Sequence, residues 1–232
     1  MIRTIRLAGL LPLLGLVFVL TQPATQGGGK DGGIAIDKEK RVIKIDAKMA
    51  PRKLEHLKEI YPLEVVACWP HPKGKTAHET VVTIEAKPSA VHQALVDLGL
   101  KAGAPVMGES ADPPKGPAVK LYIEFEGPDG ETKKVSIDRT MVDKNGKTFP
   151  KAVEWRFTGS VLSKPDPTKG DTIYGADMSG TLIAIFPVTD QTVFQTSLTM
   201  AEEKYLKLEI NTKLMPKEGT AVKLVIELPP VK

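Results

Sequence analysis

With one cysteine and four histidines in 232 residues, a site that works by proton transfer or soft-metal ligation has few residues to draw on. His78 and Glu79 stand together in A-H-E-T, an ionisable ring beside a carboxylate. Neighbours in a strand point to opposite faces. The two therefore serve one site only if the chain is irregular there; in a regular strand they are two solvated polar residues at its start. His92 lies in K-P-S-A-V-H-Q-A-L-V-D-L-G, which reads as a helix. At about 100° per residue it falls between Leu95 and Val96, within the apolar arc. A buried imidazole needs hydrogen-bond partners. A backbone carbonyl is one, the usual fate of a core histidine. The other is a polar cluster of His78, Glu79 and His92, closed from the second half of the chain by Tyr174 or Asp177. Asp177, in A-D-M-S-G, equally fits a residue that shapes the turn before the next strand.

A metal reading uses Cys68, His71 and His78, with Cys68 and His78 flanking one loop and facing each other across it. The spacing C-x2-H-x6-H matches no zinc-finger pattern, and the compact ligand run of blue copper is missing. No cofactor is expected; zinc or copper is the alternative. Cys68 itself reads as a small buried hydrophobe on a strand, an intermolecular disulfide being the other use of a lone thiol. Ser160, in F-T-G-S-V, lacks the G-x-S-x-G elbow, and no phosphate loop or dinucleotide fingerprint occurs. Catalysis is not expected, although active sites need no short motif.

The elements that would position these residues are mostly strands. Residues 34–49 alternate apolar and polar around D-K-E-K and read as a hairpin. Residues 51–61 fit a short helix before Pro62. Residues 63–68 are a strand, 69–77 a loop rich in turn residues, and 78–84 the returning strand. The helix after it starts at Pro88 and Ser89 and stops at Gly99, burying Val91, Ala94, Leu95 and Leu98. Residues 120–126 form a strand leading into the turn P-D-G-E. The expected fold is α+β, mostly antiparallel β with one or two short helices.

The second half echoes the first. K-G-P-A-V-K-L-Y-I-E-F at 115–125 matches E-G-T-A-V-K-L-V-I-E-L at 218–228 in seven of eleven positions, offset by 103. Val91-His92-Gln93 matches Val193-Phe194-Gln195, and 78–84 falls opposite 180–186, both at 102. Strand composition alone produces single matches of this kind. Several in order suggest a duplicated unit with pseudo-two-fold symmetry, its halves being 63–127 and 154–230.

Ahead of this domain, M-I-R-T-I-R carries two arginines and no acid, and residues 7–20 are uninterrupted apolar sequence. That run is shorter than the roughly 20 residues of a spanning helix. A small, polar stretch follows, the order of a signal peptide. The division is thus a signal over 1–24, a Gly-rich leader over 25–33 and one domain over 34–232. Losing Arg3 and Arg6 lowers the formal charge from +4 to +2, with lysines interleaved among acids. No basic stripe or stacking platform for nucleic acid remains, and no membrane span is expected after cleavage.

A-H-E-T at 77–80, K-P-S-x-V-H-x-A-L at 87–95, L-G-L-K-x-G-x-P at 98–105, W-x-F-x-G-S at 155–160, Y-x-A-D-x-x-G at 174–180 and P-x-x-G-T-x-V at 216–222 resemble the YdjY domain of bacterial exported proteins. The resemblance covers most of the chain and implies no established activity. A loose ferredoxin-like label attached to some members has no physical content here, since an iron–sulfur cluster takes four thiolates. The expectation is an exported, periplasmic or secreted, non-catalytic protein that binds an envelope partner or small ligand. A metal-binding or redox-accessory protein using the His/Glu cluster is the rival.

Overall fold

The computed structural model describes residues 32–110, 112–150 and 153–230. The signal segment and most of the Gly-rich leader lie outside them. Fourteen strands run in chain order as β1 (Ile34–Asp37), β2 (Val42–Met49), β3 (Val65–Cys68), β4 (Thr80–Ile84), β5 (Ala118–Glu126), β6 (Thr132–Ser136), β7 (Met141–Asp143), β8 (Trp155–Phe157), β9 (Leu162–Ser163), β10 (Ile173–Tyr174), β11 (Thr181–Ala184), β12 (Phe194–Thr196), β13 (Leu208–Ile210) and β14 (Ala221–Glu227). The helices are α1 (Pro88–Asp97), α2 (Gly175–Ser179) and α3 (Met200–Tyr205).

Eight strands form a closed circuit, β2-β14-β5-β8-β12-β11-β3-β4 and back to β2. The fold is therefore a β-barrel with three short helices, not the α+β arrangement expected above. The closing contact is β4 on β2, Ala47 opposite Ile84 and Met49 opposite Val82. It joins strands far apart in sequence, which no local pattern announces. Closure removes the free edges that an open sheet would expose. Period-2 patterning selects the interior: Ile43, Ile45, Ala47 and Met49 of β2 are buried, as are Val119, Leu121, Ile123 and Phe125 of β5 and Val222, Leu224 and Ile226 of β14.

The hairpin expected at 34–49 is present as β1–β2, the turn expected after the 120–126 strand joins β5 to β6, and α1 occupies the expected span. Two local readings are corrected. Residues 51–61 are irregular: Arg52 is anchored by contacts to distant segments, which replace helical bonds in its turn. More consequentially, β4 does not return alongside β3 but runs parallel to it, Val65 opposite Thr80 and Cys68 opposite Thr83. The 69–79 segment is thus a crossover between parallel strands.

The β5–β14 ladder is centred on Tyr122 opposite Val225, with Leu121 opposite Ile226 and Ile123 opposite Leu224 on either side. Around that centre the circuit reads alike in both directions. β14, β2, β4 and β3 follow one way; β5, β8, β12 and β11 follow the other. In this arrangement β4 stands opposite β12, not opposite β11 as the 102-residue match implied. Val91-His92-Gln93 is helical whereas Val193 precedes a strand that begins at Phe194, so that match reflects composition.

Candidate functional site

Parallel pairing starts β3 and β4 at the same end of the barrel, so the residues just before them, Glu64 and Glu79, become neighbours. The amides of Glu64 and Val65 both donate to the Glu79 carbonyl, each at 3.0 Å. Segment 206–208 docks beside them, Leu63 N–H donating to Leu208 O at 2.8 Å, and brings Glu203 and Lys207 near. Burial raises the Glu64 carboxyl to about 7; Glu79 and Glu203 push the same way and Lys207 opposes. Burial also raises Glu79, against hydrogen bonding from Glu64 and the charge of Arg52. Two carboxyls this close share protons readily, because a second negative charge is costly beside the first.

His78 lies in the turn before β4, where the chain is irregular enough for it and Glu79 to meet: Nε2 is 2.9 Å from Glu79 Oε1. Burial lowers the His78 pKa, which Glu64 offsets and His56 and Arg52 reinforce. The lowered pKa favours the neutral ring in this contact. Tyr61 meets the same ring edge-on, centroids 5.2 Å apart. Arg52, its side chain only 9 % exposed, donates to the carbonyls of His78 and Tyr61 and to Glu209.

His92 and Tyr174 form a second group. His92 Nδ1 is 2.7 Å from the Tyr174 hydroxyl, and its ring lies edge-on to Phe157, centroids 5.0 Å apart. Gly159 permits this approach: a Cβ there would sit 3.3 Å from His92 Cε1 and 2.9 Å from the Ala102 Cβ. Burial lowers the His92 pKa and raises that of Tyr174. Asp177 makes no hydrogen bond to either ring, although its charge adds to the rise at Tyr174. Its carboxylate accepts from the Ser89 amide at 2.8 Å and from the Ser89 hydroxyl, capping α1 from outside, where the N-cap residue Lys87 supplies no side-chain bond. Among the described residues no hydrogen bond, ion pair or ring contact joins the His92–Tyr174–Asp177 group to His78 and Glu79.

Cys68 sits three residues along β3 from Val65, at the end of the parallel pair away from His78, roughly 10 Å along the strand. It is fully buried, its thiol donating to Trp69 O at 3.2 Å and pushed up to about 11 by burial. His71 stacks on His56 instead, centroids 4.5 Å apart. Among the described residues no three His, Cys, Asp or Glu side chains stand where they could hold a metal ion. The two stacked rings border a cleft of about 400 Å³ lined also by Pro51, Leu54, Pro70 and Ala77. His56, Glu64 and Arg52 escaped the sequence reading. Glu64 left a faint trace, a lone acid in the apolar run Leu63–Cys68.

Residues 34–227 match the YdjY domain. The chain belongs to that family. The YdjY match spans the whole barrel, from β1 to the end of β14, so the domain and the barrel are the same unit. No curated protein and no solved structure matches, so the family carries fold extent and no activity. No helix among the described residues of this YdjY domain is long and apolar enough to cross a membrane.

Proposed function

We propose that this YdjY domain is an exported, non-catalytic binding protein of the cell envelope, and that it receives a partner protein or small ligand in the cleft between residues 51–56 and 70–77. The supporting observation is the cleft itself: about 400 Å³, walled by prolines and Leu54, with the exposed stacked rings of His56 and His71 at its mouth. Concave, largely apolar surface with a few polar groups suits binding. Glu64 and Glu79, two carboxyls whose pKa burial raises, face Arg52, His78, Glu203 and Lys207 and have the surroundings of a structural cluster.

We also propose that the barrel descends from a duplication. The symmetric register about Tyr122 and Val225 uses the same offset, 103, as the sequence match. Thr80-Val81-Val82 and Thr192-Val193-Phe194 support it further. Each begins with a buried threonine whose hydroxyl donates to the carbonyl two residues on.

Two measurements test the binding reading. The first is metal content of protein purified without an affinity tag, followed by zinc titration. Stoichiometric zinc or copper would replace this reading with the metal-binding one. In the second, a photo-crosslinking residue at position 71 in cells of the native host should yield a discrete adduct that position 169, on an exposed turn, does not. Identical patterns at both positions would refute the cleft.

A further inference from the structure

Among the described residues α3 is the only α-helix with no buried residue. Its apolar attachment is Met200, partly buried against the core, and Tyr205 at its other end is half exposed. A helix of six residues is not stable alone, so polar contacts hold it. Thr199 and Glu202 form a capping box at its start, and Lys204 pairs with Glu109 in the open. Just past its end the Lys207 ammonium reaches Glu203 O at 3.2 Å and Glu203 Oε1 at 3.4 Å. The Lys207 amide donates to Asp143 Oδ1 at 3.3 Å. Leu198 on one side and Leu206 and Leu208 on the other are buried. The helix is thus a span between two fixed points, and segments with so few buried contacts open before the core does.

α3 brings Glu203 to the Glu64–Glu79 pair. The two carboxyls are hydrogen-bonded to each other, which takes one proton, since a carboxylate has none to donate. Arg52 faces the pair from the 51–61 segment, His78 from the turn before β4 and Lys207 from just after α3. His56 and Arg52 face His78 in turn. With the proton present, the pair and Glu203 carry two negative charges against the two positive ones of Lys207 and Arg52, the neutral form of His78 being favoured. Lys144 meets Glu209, the further carboxylate on Arg52. Loss of the proton makes three against two and breaks the bond between the carboxyls. We propose that α3 is a pH-dependent latch, seated while Glu64 and Glu79 share a proton and released between Leu198 and Leu206 when the doubly charged pair repels Glu203. α3 is the part that gives way because the other groups are fixed. Glu64 and Glu79 lead into paired barrel strands, and Arg52 is buried on three acceptors. Burial raises the Glu64 carboxyl to about 7, so release belongs at and above neutrality. The latch stands or falls independently of the His56–His71 cleft.

The test uses the purified chain with a nitroxide spin label on Tyr205→Cys, Cys68 being buried and left unlabelled. Its resonance spectrum is compared at pH 5.5 and pH 8. The mobile component should grow at least threefold at the higher pH. A label on Lys120→Cys, exposed on β5, should show no change. Glu64→Gln should abolish the growth at position 205, because an amide donates to the Glu79 carboxylate without a proton to lose. Glu203→Gln, which removes the repelled charge and leaves the pair intact, should reduce it at least twofold. Equal spectra at the two pH values, or full growth retained in Glu64→Gln, would overturn the latch. Growth at position 120 as well would show loosening of the whole barrel, and would overturn it too.

Discussion

Glu64 keeps its proton up to a pH near 7, well above the ordinary carboxyl value, because burial disfavours its charge. The folded state therefore binds more protons than the unfolded chain between about 4.5 and about 7, and stability must fall as pH rises through that window. The full penalty, at most roughly 3 kcal/mol for a shift of this size, is present above pH 7 and absent below 4.5. Glu64→Gln should raise the urea midpoint at pH 8, leave it nearly unchanged at pH 4 and flatten the profile between. A variant with the wild-type profile would place the perturbed carboxyl elsewhere. His92 behaves oppositely: its lowered pKa contributes stability above the usual histidine range that is lost as pH falls below it. Its bond to Tyr174 is testable by a double-mutant cycle. His92→Phe preserves the ring against Phe157 but leaves a half-buried phenol unpaired, which should cost about 1–3 kcal/mol. Tyr174→Phe added to it should recover most of that loss. A neutral His92→Phe would mean that the histidine is only a core ring.

At the scale of elements, α1 depends on a residue 88 positions away in the chain. Asp177 in α2 occupies the place of a missing local cap, bonding the Ser89 amide and hydroxyl. Asp177→Ala should destabilise the protein by about 1–2 kcal/mol, the usual cost of losing an N-cap. Amide exchange should quicken in the first turn of α1 before it does elsewhere. Uniform quickening across the barrel would show that Asp177 holds the halves together rather than the helix end. The α1 span was legible in advance, since Pro88, Gly99 and the apolar stripe are local signals. Its cap was not, because the sequence around Lys87 contains nothing that points to Asp177. Likewise β3 and β4 were legible as strands from residues 63–68 and 78–84, but their direction was not. Parallel and antiparallel pairs share one side-chain period.

For the molecule as a whole, export is the expectation with the plainest check. Mass spectrometry of protein from its native host should find the chain beginning between Thr21 and Lys30; intact Met1 in the membrane fraction would make residues 7–20 an anchor. The amino-acid order by itself determined what depends on near neighbours: the alternation that buries Ile43, Ile45, Leu121, Ile123, Leu224 and Ile226, the β1–β2 and β5–β6 hairpins, helix α1, and the motifs of the YdjY family. Only the tertiary structure decided what depends on pairing between distant strands. Closure of β4 onto β2 turned a set of strands into a barrel. The parallel start of β3 and β4 put Glu64 beside Glu79 and moved Cys68 away from His78. The packing of α1 on α2 gave His92 to Tyr174 rather than to His78. Period and propensity act over a few residues, whereas strand partner and direction are settled by burial across the whole chain.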